Sequence, residues 1–287
     1  MYRIAEVPFT ISCPSDFKIV SEIPYRFFES DVSGGVFIRY EKKAPPALKK
    51  ENVVYYDTST IVVREENRIF RYMGNFDTGN IDAWKNCVSF LKEDRTDFQI
   101  FLKTKSSLLS ERQIFEAIGL EYVMAYYQRA ILHASFINYK NRGILFTAPS
   151  GTGKSTQADL WKKYHSEVEI VNGDRSILSC EKGRVYAYGL PFCGSSGISL
   201  NRKIPLYAIV VLRQGERNEI QRLDPAKAFR FLLSECATDI WDKKGTENIL
   251  DLLSKIVKKV PVYYFACLPE KSAVDILAYT LCTREWR

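Results

Sequence analysis

Gly143–Ile144–Leu145–Phe146–Thr147 runs straight into Ala148–Pro149–Ser150–Gly151–Thr152–Gly153–Lys154–Ser155–Thr156: an apolar strand, a glycine-rich turn and the opening of a helix in unbroken succession. A phosphate-binding loop needs this order. Glycines that tolerate positive φ let successive backbone N–H groups wrap around phosphate oxygens at the positively polarised N-terminus of a helix. Lys154 would then reach the β- and γ-phosphates, and the Ser155 hydroxyl could ligate Mg²⁺. Ser150, Gly151, Thr152, Gly153, Lys154, Ser155 and Thr156 are the candidate nucleotide contacts. The strict pattern begins with Gly where this chain has Ala148, but the remaining SGTGKST is intact and reads as a tolerated variant.

Immediately downstream, a helix over about Lys154–Tyr164 is expected to lead into a strand, Val168–Asn172, and then to Asp174, 20 residues beyond Lys154. Helix and returning strand are both short, so Asp174 should land near the loop. In switch-type GTPases and motor ATPases the metal-ligating Asp usually lies well downstream, so a different class is indicated. A carboxylate here can ligate Mg²⁺, or take a proton from an alcohol and steer it in line with a γ-phosphate. The simpler alternative is a surface Asp in a Gly173–Asp174 turn. Protein-kinase signatures of the HRD and DFG kind are absent.

Further out on the N-terminal side, Gly35–Tyr40, Val53–Tyr56, Ile61–Arg64 and Arg68–Tyr72 are short β-prone runs separated by turn residues, predicting a meandering antiparallel sheet. From Ser110 the period changes. Ser110 and Gln113 form a capping-box pair, and Ile114, Ile118, Tyr122, Tyr126 and Ala130 recur every four residues, predicting one long helix that delivers the chain to His133. A β-rich region over 1–105, with possible substrate recognition, and a nucleotide domain over 106–287 follow from that change. On the C-terminal side come two short strands around Gly183, the apolar strand Leu206–Leu212 and a helix opening at Asp224–Pro225. The chain ends on helix Thr246–Val257, strand Pro261–Cys267 and helix Pro269–Leu281. The class is mixed α/β.

Composition bounds what this loop can serve. The chain has 287 residues, 46% of them hydrophobic and 26% charged, enough to build a core without disulfide or metal staples. No unbroken apolar stretch exceeds that of Leu206–Leu212, so a membrane span is excluded; the N-terminus has no signal-peptide pattern, and a cytoplasmic location is expected. Seven cysteines without a CxxC pair read as reduced thiols, and two histidines make a His-rich zinc site improbable, leaving oxygen ligands for any divalent ion. The net charge of +7 lies mostly in residues 106–287, a field that attracts nucleotides. No basic block interleaved with aromatics argues for a nucleic-acid surface.

Four segments, LHASF at 132–136, APSGTGKST at 148–156, VNGDRSIL at 171–178 and YGLPFCGSSG at 188–197, together resemble the HPr serine kinase/phosphorylase family. They look closest to relatives acting on other substrates, such as kinases of lasso-peptide precursors. The resemblance covers about residues 128–215 and implies a phosphoenolpyruvate carboxykinase-type P-loop nucleotide fold. It further implies ATP and Mg²⁺ as cofactors and a peptide or small protein bearing a Ser hydroxyl as partner, with neither nucleic acid nor membrane; homo-oligomers are possible. His133, 15 positions before Ala148, matches the family histidine facing the phosphates; its bland reading is a core histidine. Arg175 matches a residue that could brace transferred phosphate. Where much of the family has two adjacent aspartates, this chain has Gly173 and Asp174, which leaves open whether Asp174 is base, metal ligand or both. The family's signature for phosphorylase activity is not found, so HPr itself is not the expected substrate.

The catalytic set expected on this basis is Asp174, His133, Lys154 and Arg175, with Ser155 and Asp174 on the metal. The 191–197 loop lies near the active site in the relatives, and is otherwise a mere Gly/Ser turn. Arg202, Lys203 and Arg213 are candidate phosphate clamps or plain solvated bases. The expected activity is transfer of the γ-phosphoryl group of ATP to a serine or similar hydroxyl. Two alternatives stand beside it: a non-catalytic nucleotide sensor, for which the loss of one aspartate speaks, and a kinase of a free small molecule.

Overall fold

A computed structural model of the chain describes residues 1–41, 43–92, 95–103 and 108–282. The boundary expected between residues 105 and 106 falls outside the described residues. The chain folds into two compact units, one of Met1–Tyr127 with Asp239–Lys243, and a second of Gln128–Thr238 with Lys244–Arg287. Both helices that follow Ser110 therefore belong to the first unit.

That first unit holds strands β1 (Tyr2–Ile4), β2 (Val7–Ser12), β3 (Lys18–Val20), β4 (Val36–Glu41), β5 (Val53–Tyr56), β6 (Thr60–Arg64), β7 (Arg68–Gly74), β8 (Trp84–Leu91), β9 (Asp97–Leu102) and β10 (Leu108–Ser110). Its helices are α1 (Ile23–Arg26), α2 (Glu111–Ile118) and α3 (Leu120–Tyr126). Eight strands form a sheet in the order β1-β2-β4-β9-β8-β7-β6-β5. The predicted meander is present from β5 to β9, but the sheet is mixed: β4 lies parallel to both β2 and β9. The chain leaves β4, builds the meander from the far edge and returns β9 beside β4, a pairing no local pattern announces. Ile61, Val63, Phe70, Tyr72, Cys87 and Phe101 pack together on one face.

The capping box is present, with Ser110 accepting from the Gln113 N–H and Gln113 accepting from the Ser110 N–H. The single long helix is not. Gly119 takes a left-handed φ of 67°, ending α2 and starting α3, which stops at Tyr126. Beyond α3 Gln128 takes a left-handed φ of 54°, and Ala130 and His133 lie on the strand that follows rather than on a continued helix.

The second unit contains β11 (Ala130–Tyr139), β12 (Arg142–Thr147), α4 (Lys154–Tyr164), β13 (Val168–Asn172), β14 (Arg175–Glu181), β15 (Arg184–Tyr188), β16 (Lys203–Gln214), β17 (Glu219–Arg222), α5 (Pro225–Glu235), α6 (Lys243–Lys259), β18 (Val262–Cys267) and α7 (Lys271–Cys282). The class is mixed α/β, as expected. Two long strands organise it. The start of β11 pairs with β14, and its remainder pairs with β12 and β13. The start of β16 pairs with β15, and its remainder runs parallel to β12 and β18. The C-terminal ends of β12, β16 and β18 thus finish along one edge, where the 148–153 turn departs. One face of this sheet buries Phe146, Val210, Leu212 and Phe265 against Trp161 of α4 and Val274 and Leu277 of α7, which anchors the helix that begins at Lys154. All seven cysteines are free thiols. Among the described residues no helix is long and apolar enough to cross a membrane.

Candidate functional site

The turn that opens α4 is shaped by its glycines. Gly151 and Gly153 sit at φ 78° and 112°, values that side chains rarely adopt, and a Cβ on either would point into open space. Gly153 is the N-cap and offers no side chain, so the first-turn N–H groups of α4 face the concavity of the loop. Thr152 Oγ1 donates to the Pro149 carbonyl at 2.8 Å, closing the turn on itself. Ser150, Ser155 and Thr156 are exposed at its rim. Lys154 is buried and donates to the carbonyls of Ala148 at 2.8 Å and Pro149 at 3.3 Å. Burial pushes its ammonium below the ordinary value, opposed by the carboxylates of Glu235 and Asp174.

Asp174 arrives beside this loop by way of the turn after β13. Asn172, fully buried, builds that turn: its Oδ1 accepts from the N–H groups of Asp174 at 2.9 Å and Arg175 at 3.0 Å. Its Nδ2 donates to the carbonyls of Leu190 at 2.9 Å and Phe192 at 3.0 Å, so one amide ties the aspartate to the serine loop. Ser135 of β11 donates to the Gly173 carbonyl at 2.8 Å, and Ser155 of α4 lies 3.5 Å from the same oxygen. The Ser155 hydroxyl and Asp174 therefore flank a single peptide unit.

His133 is on β11, with Nε2 3.6 Å from Asp174 Oδ1 and Nδ1 3.3 Å from Glu235 Oε2. Arg175 Nε stands 3.4 Å from Asp174 Oδ2. The His133 ring is the largest influence holding the Asp174 carboxyl below its ordinary pKa, against burial and with help from Arg175 and Lys154. Asp174 is accordingly a carboxylate at neutral pH. Lys154, Ser155, His133, Asp174 and Arg175, all singled out from the sequence, come together at this edge of the sheet.

The loop 191–197 packs over the aspartate turn. The side chain of Ser195 lies outside the described residues. A Cβ built on Gly173 would fall 2.2 Å from Ser196 Oγ, and one on Gly194 would fall 2.9 Å from Asp174 Cβ. Each glycine makes room for the other segment's side chain, which explains the absence of a second aspartate at 173 in steric terms.

Not every expected cation reaches this place. Arg202 pairs with Glu169 at 3.1 Å and Lys203 with Glu181 at 2.6 Å. Arg213, the last residue but one of β16, donates to the Tyr264 hydroxyl at 3.3 Å, while Gln214, which ends the strand, donates to the Gly151 carbonyl at 3.4 Å. Glu235, the last residue of α5, escaped the sequence reading. It belongs to no motif, and its approach to His133 depends on α5 packing against β11. Asn172 was visible as an Asx-turn residue preceding Gly–Asp, a signal that could have been used.

The profile of the SynChlorMet cassette protein ScmC family matches residues 103–269. The chain belongs to the ScmC family. The match takes in the phosphate loop, the Asp174 turn, the serine loop and Glu235. No curated protein matches this ScmC-family chain. Among solved structures, the Hpr(Ser) kinase/phosphatase from Coxiella burnetii matches at 12% identity over 55% of this chain and 99% of its own, with a TM-score of 0.32. A superposition that loose decides neither fold type nor activity.

Proposed function

We propose that this ScmC-family chain is an ATP- and Mg²⁺-dependent kinase of the HPr kinase/phosphoenolpyruvate carboxykinase type. It transfers the γ-phosphoryl group to a serine or similar hydroxyl of a peptide or small protein, as in kinases of lasso-peptide precursors. The observation that carries this reading is the convergence of an ionised Asp174, braced by His133, with Ser155 and Lys154 of a glycine turn at the head of α4.

The loop suits a polyphosphate. Its two glycines leave the backbone open to approach, and the Lys154 ammonium is buried among carbonyls it would exchange for phosphate oxygens. Among the described residues no three His, Cys, Asp or Glu side chains gather as a metal site. A Mg²⁺ ion suits such a place, since it commonly takes one or two protein oxygens and completes its shell with phosphate and water. Ser155 and Asp174 would supply those oxygens, and an ion held by them would neutralise charge building on the phosphoryl group. Asp174 orients the acceptor hydroxyl and takes its proton, and His133, held from behind by Glu235, keeps the carboxylate aimed. Arg175, beside Asp174, adds a positive charge for the transferred group.

Gly173 does not by itself favour the sensor alternative, because its contact with Ser196 gives a steric reason for glycine there. The test is incubation of the protein with γ-labelled ATP and Ser-containing peptides. Label should pass to a peptide hydroxyl, and Asp174→Asn should cut transfer by roughly 10²–10⁴-fold while sparing ATP affinity. ATP binding with no label passed to any hydroxyl acceptor would leave the sensor reading standing instead.

A further inference from the structure

We infer that a nucleotide on the 148–156 loop lays its base on the exposed ring of Phe231, backed by Tyr264, so that this site takes a nucleoside triphosphate in preference to inorganic pyrophosphate or polyphosphate. The inference rests on the phosphate-loop reading above and adds to it the half of the ligand that no motif covers.

The direction in which a nucleotide would lie follows from the sheet. The loop leaves β12, flanked by β11 on one side and β16 on the other. Asp174 and His133 occupy the β11 side, so the reacting end of a polyphosphate lies there. The nucleoside at its other end must then leave across β16 and β18. On that side the end of β16 touches the loop through Gln214 and Gly151. The preceding residue, Arg213, holds the Tyr264 hydroxyl. Tyr264 is in register with Val211, and Val211 with Thr147, the last strand residue before the loop, so the tyrosine shares the row from which the loop springs.

Phe231 of α5 completes the platform. Its ring lies 6.1 Å from that of Tyr264, inclined at 38°. It remains 38% exposed although the same helix buries Ala228 and Leu232. One turn further along that face, Glu235 meets His133. A single helix thus links the aromatic pair to the reactive carboxylate–imidazole array, from one side of the loop to the other. An exposed aromatic ring is what a base requires, because every base offers a π-face, and Arg213 at the hydroxyl of the backing Tyr264 adds a positive charge to the same platform. A bare polyphosphate has no group for such a surface.

The test is equilibrium binding of ATP and of inorganic tripolyphosphate, each with Mg²⁺, to the full chain and its variants, with thermal unfolding to confirm folding. The wild type should bind ATP more tightly than tripolyphosphate. Phe231→Ala should weaken ATP roughly tenfold or more and leave tripolyphosphate unchanged, while Phe231→Trp, which keeps a stacking face, should retain ATP. The inference is overturned if Phe231→Ala binds ATP as the wild type does, if both ligands weaken equally, or if the wild type does not prefer ATP. A wild type that binds neither ligand overturns the phosphate-loop reading, and this inference with it.

Discussion

In the N-terminal unit a buried cation meets a buried anion: Arg95 makes two short hydrogen bonds to Asp242, at 2.7 and 2.6 Å, and lies 4.0 Å over the ring of Tyr122. In the C-terminal unit Lys154, also buried, is held by two backbone carbonyls, with the carboxylates of Asp174 and Glu235 acting on it through space. The first arrangement consumes its charges in holding the fold. The second holds its cation on backbone carbonyls rather than on a carboxylate, partners that phosphate oxygens can take over. Sites and scaffolds differ in whether buried polarity is answered inside the protein, and these two sheets show both solutions in one chain.

Removing one cation from each unit is the sharpest way to break that contrast. Arg95→Met should strand a buried carboxylate and cost about 3–5 kcal/mol in denaturant unfolding. Lys154→Met should cost under about 1 kcal/mol or even stabilise, because it removes a charge whose burial was unfavourable. It should nevertheless abolish ATP binding. Equal destabilisation by both variants would erase the distinction between the two units.

The glycine contact sharpens it at a smaller scale. Gly173→Asp would restore the paired aspartates of the resembled family, yet its Cβ meets Ser196. A loss of about 1–3 kcal/mol is expected from overpacking, and adding Ser196→Gly should recover much of it in a double-mutant cycle on unfolding free energy. Additive costs would mean that the two segments do not constrain each other.

The smallest effect concerns a carboxylate that serves structure within the unit carrying the site. Glu181 pairs with Lys203 and accepts from Tyr188 and Ser179, which together lower its pKa from 4.5 to about 2 despite opposing burial. A folded-state pKa below the unfolded one means the stabilisation is complete above about pH 4.5 and is lost as pH falls through about 2. The group is partly solvated, so Glu181→Gln should cost under about 1 kcal/mol at neutral pH and flatten the stability curve across that interval. A variant curve parallel to that of the wild type would show that other carboxylates govern acid unfolding.

Features whose causes lie within a few residues were legible in advance. The strand, glycine turn and helix of 143–164 are local, and so are the capping box at Ser110, the Asp224 cap of α5 and the short return to Asp174. The long helix failed at Gly119, where the four-residue spacing of Tyr122 and Tyr126 continued across a left-handed break. For Arg202 and Lys203 the sequence leaves phosphate clamp and solvated base both open, and the pairing with Glu169 and Glu181 across the strands is visible only in the fold. The parallel neighbours of β4 were hidden for the same reason: pairing depends on where distant segments return.

By itself, then, the sequence determined the chemistry available at the head of α4, because φ tolerance, helix-terminal N–H groups and a lysine at fixed spacing are properties of nine consecutive residues. Tertiary structure alone decided what that chemistry faces. Glu235 behind His133, Ser196 over Gly173, and Phe231 against Tyr264 are contacts between segments far apart in the chain, set by strand pairing and helix packing rather than by any local preference.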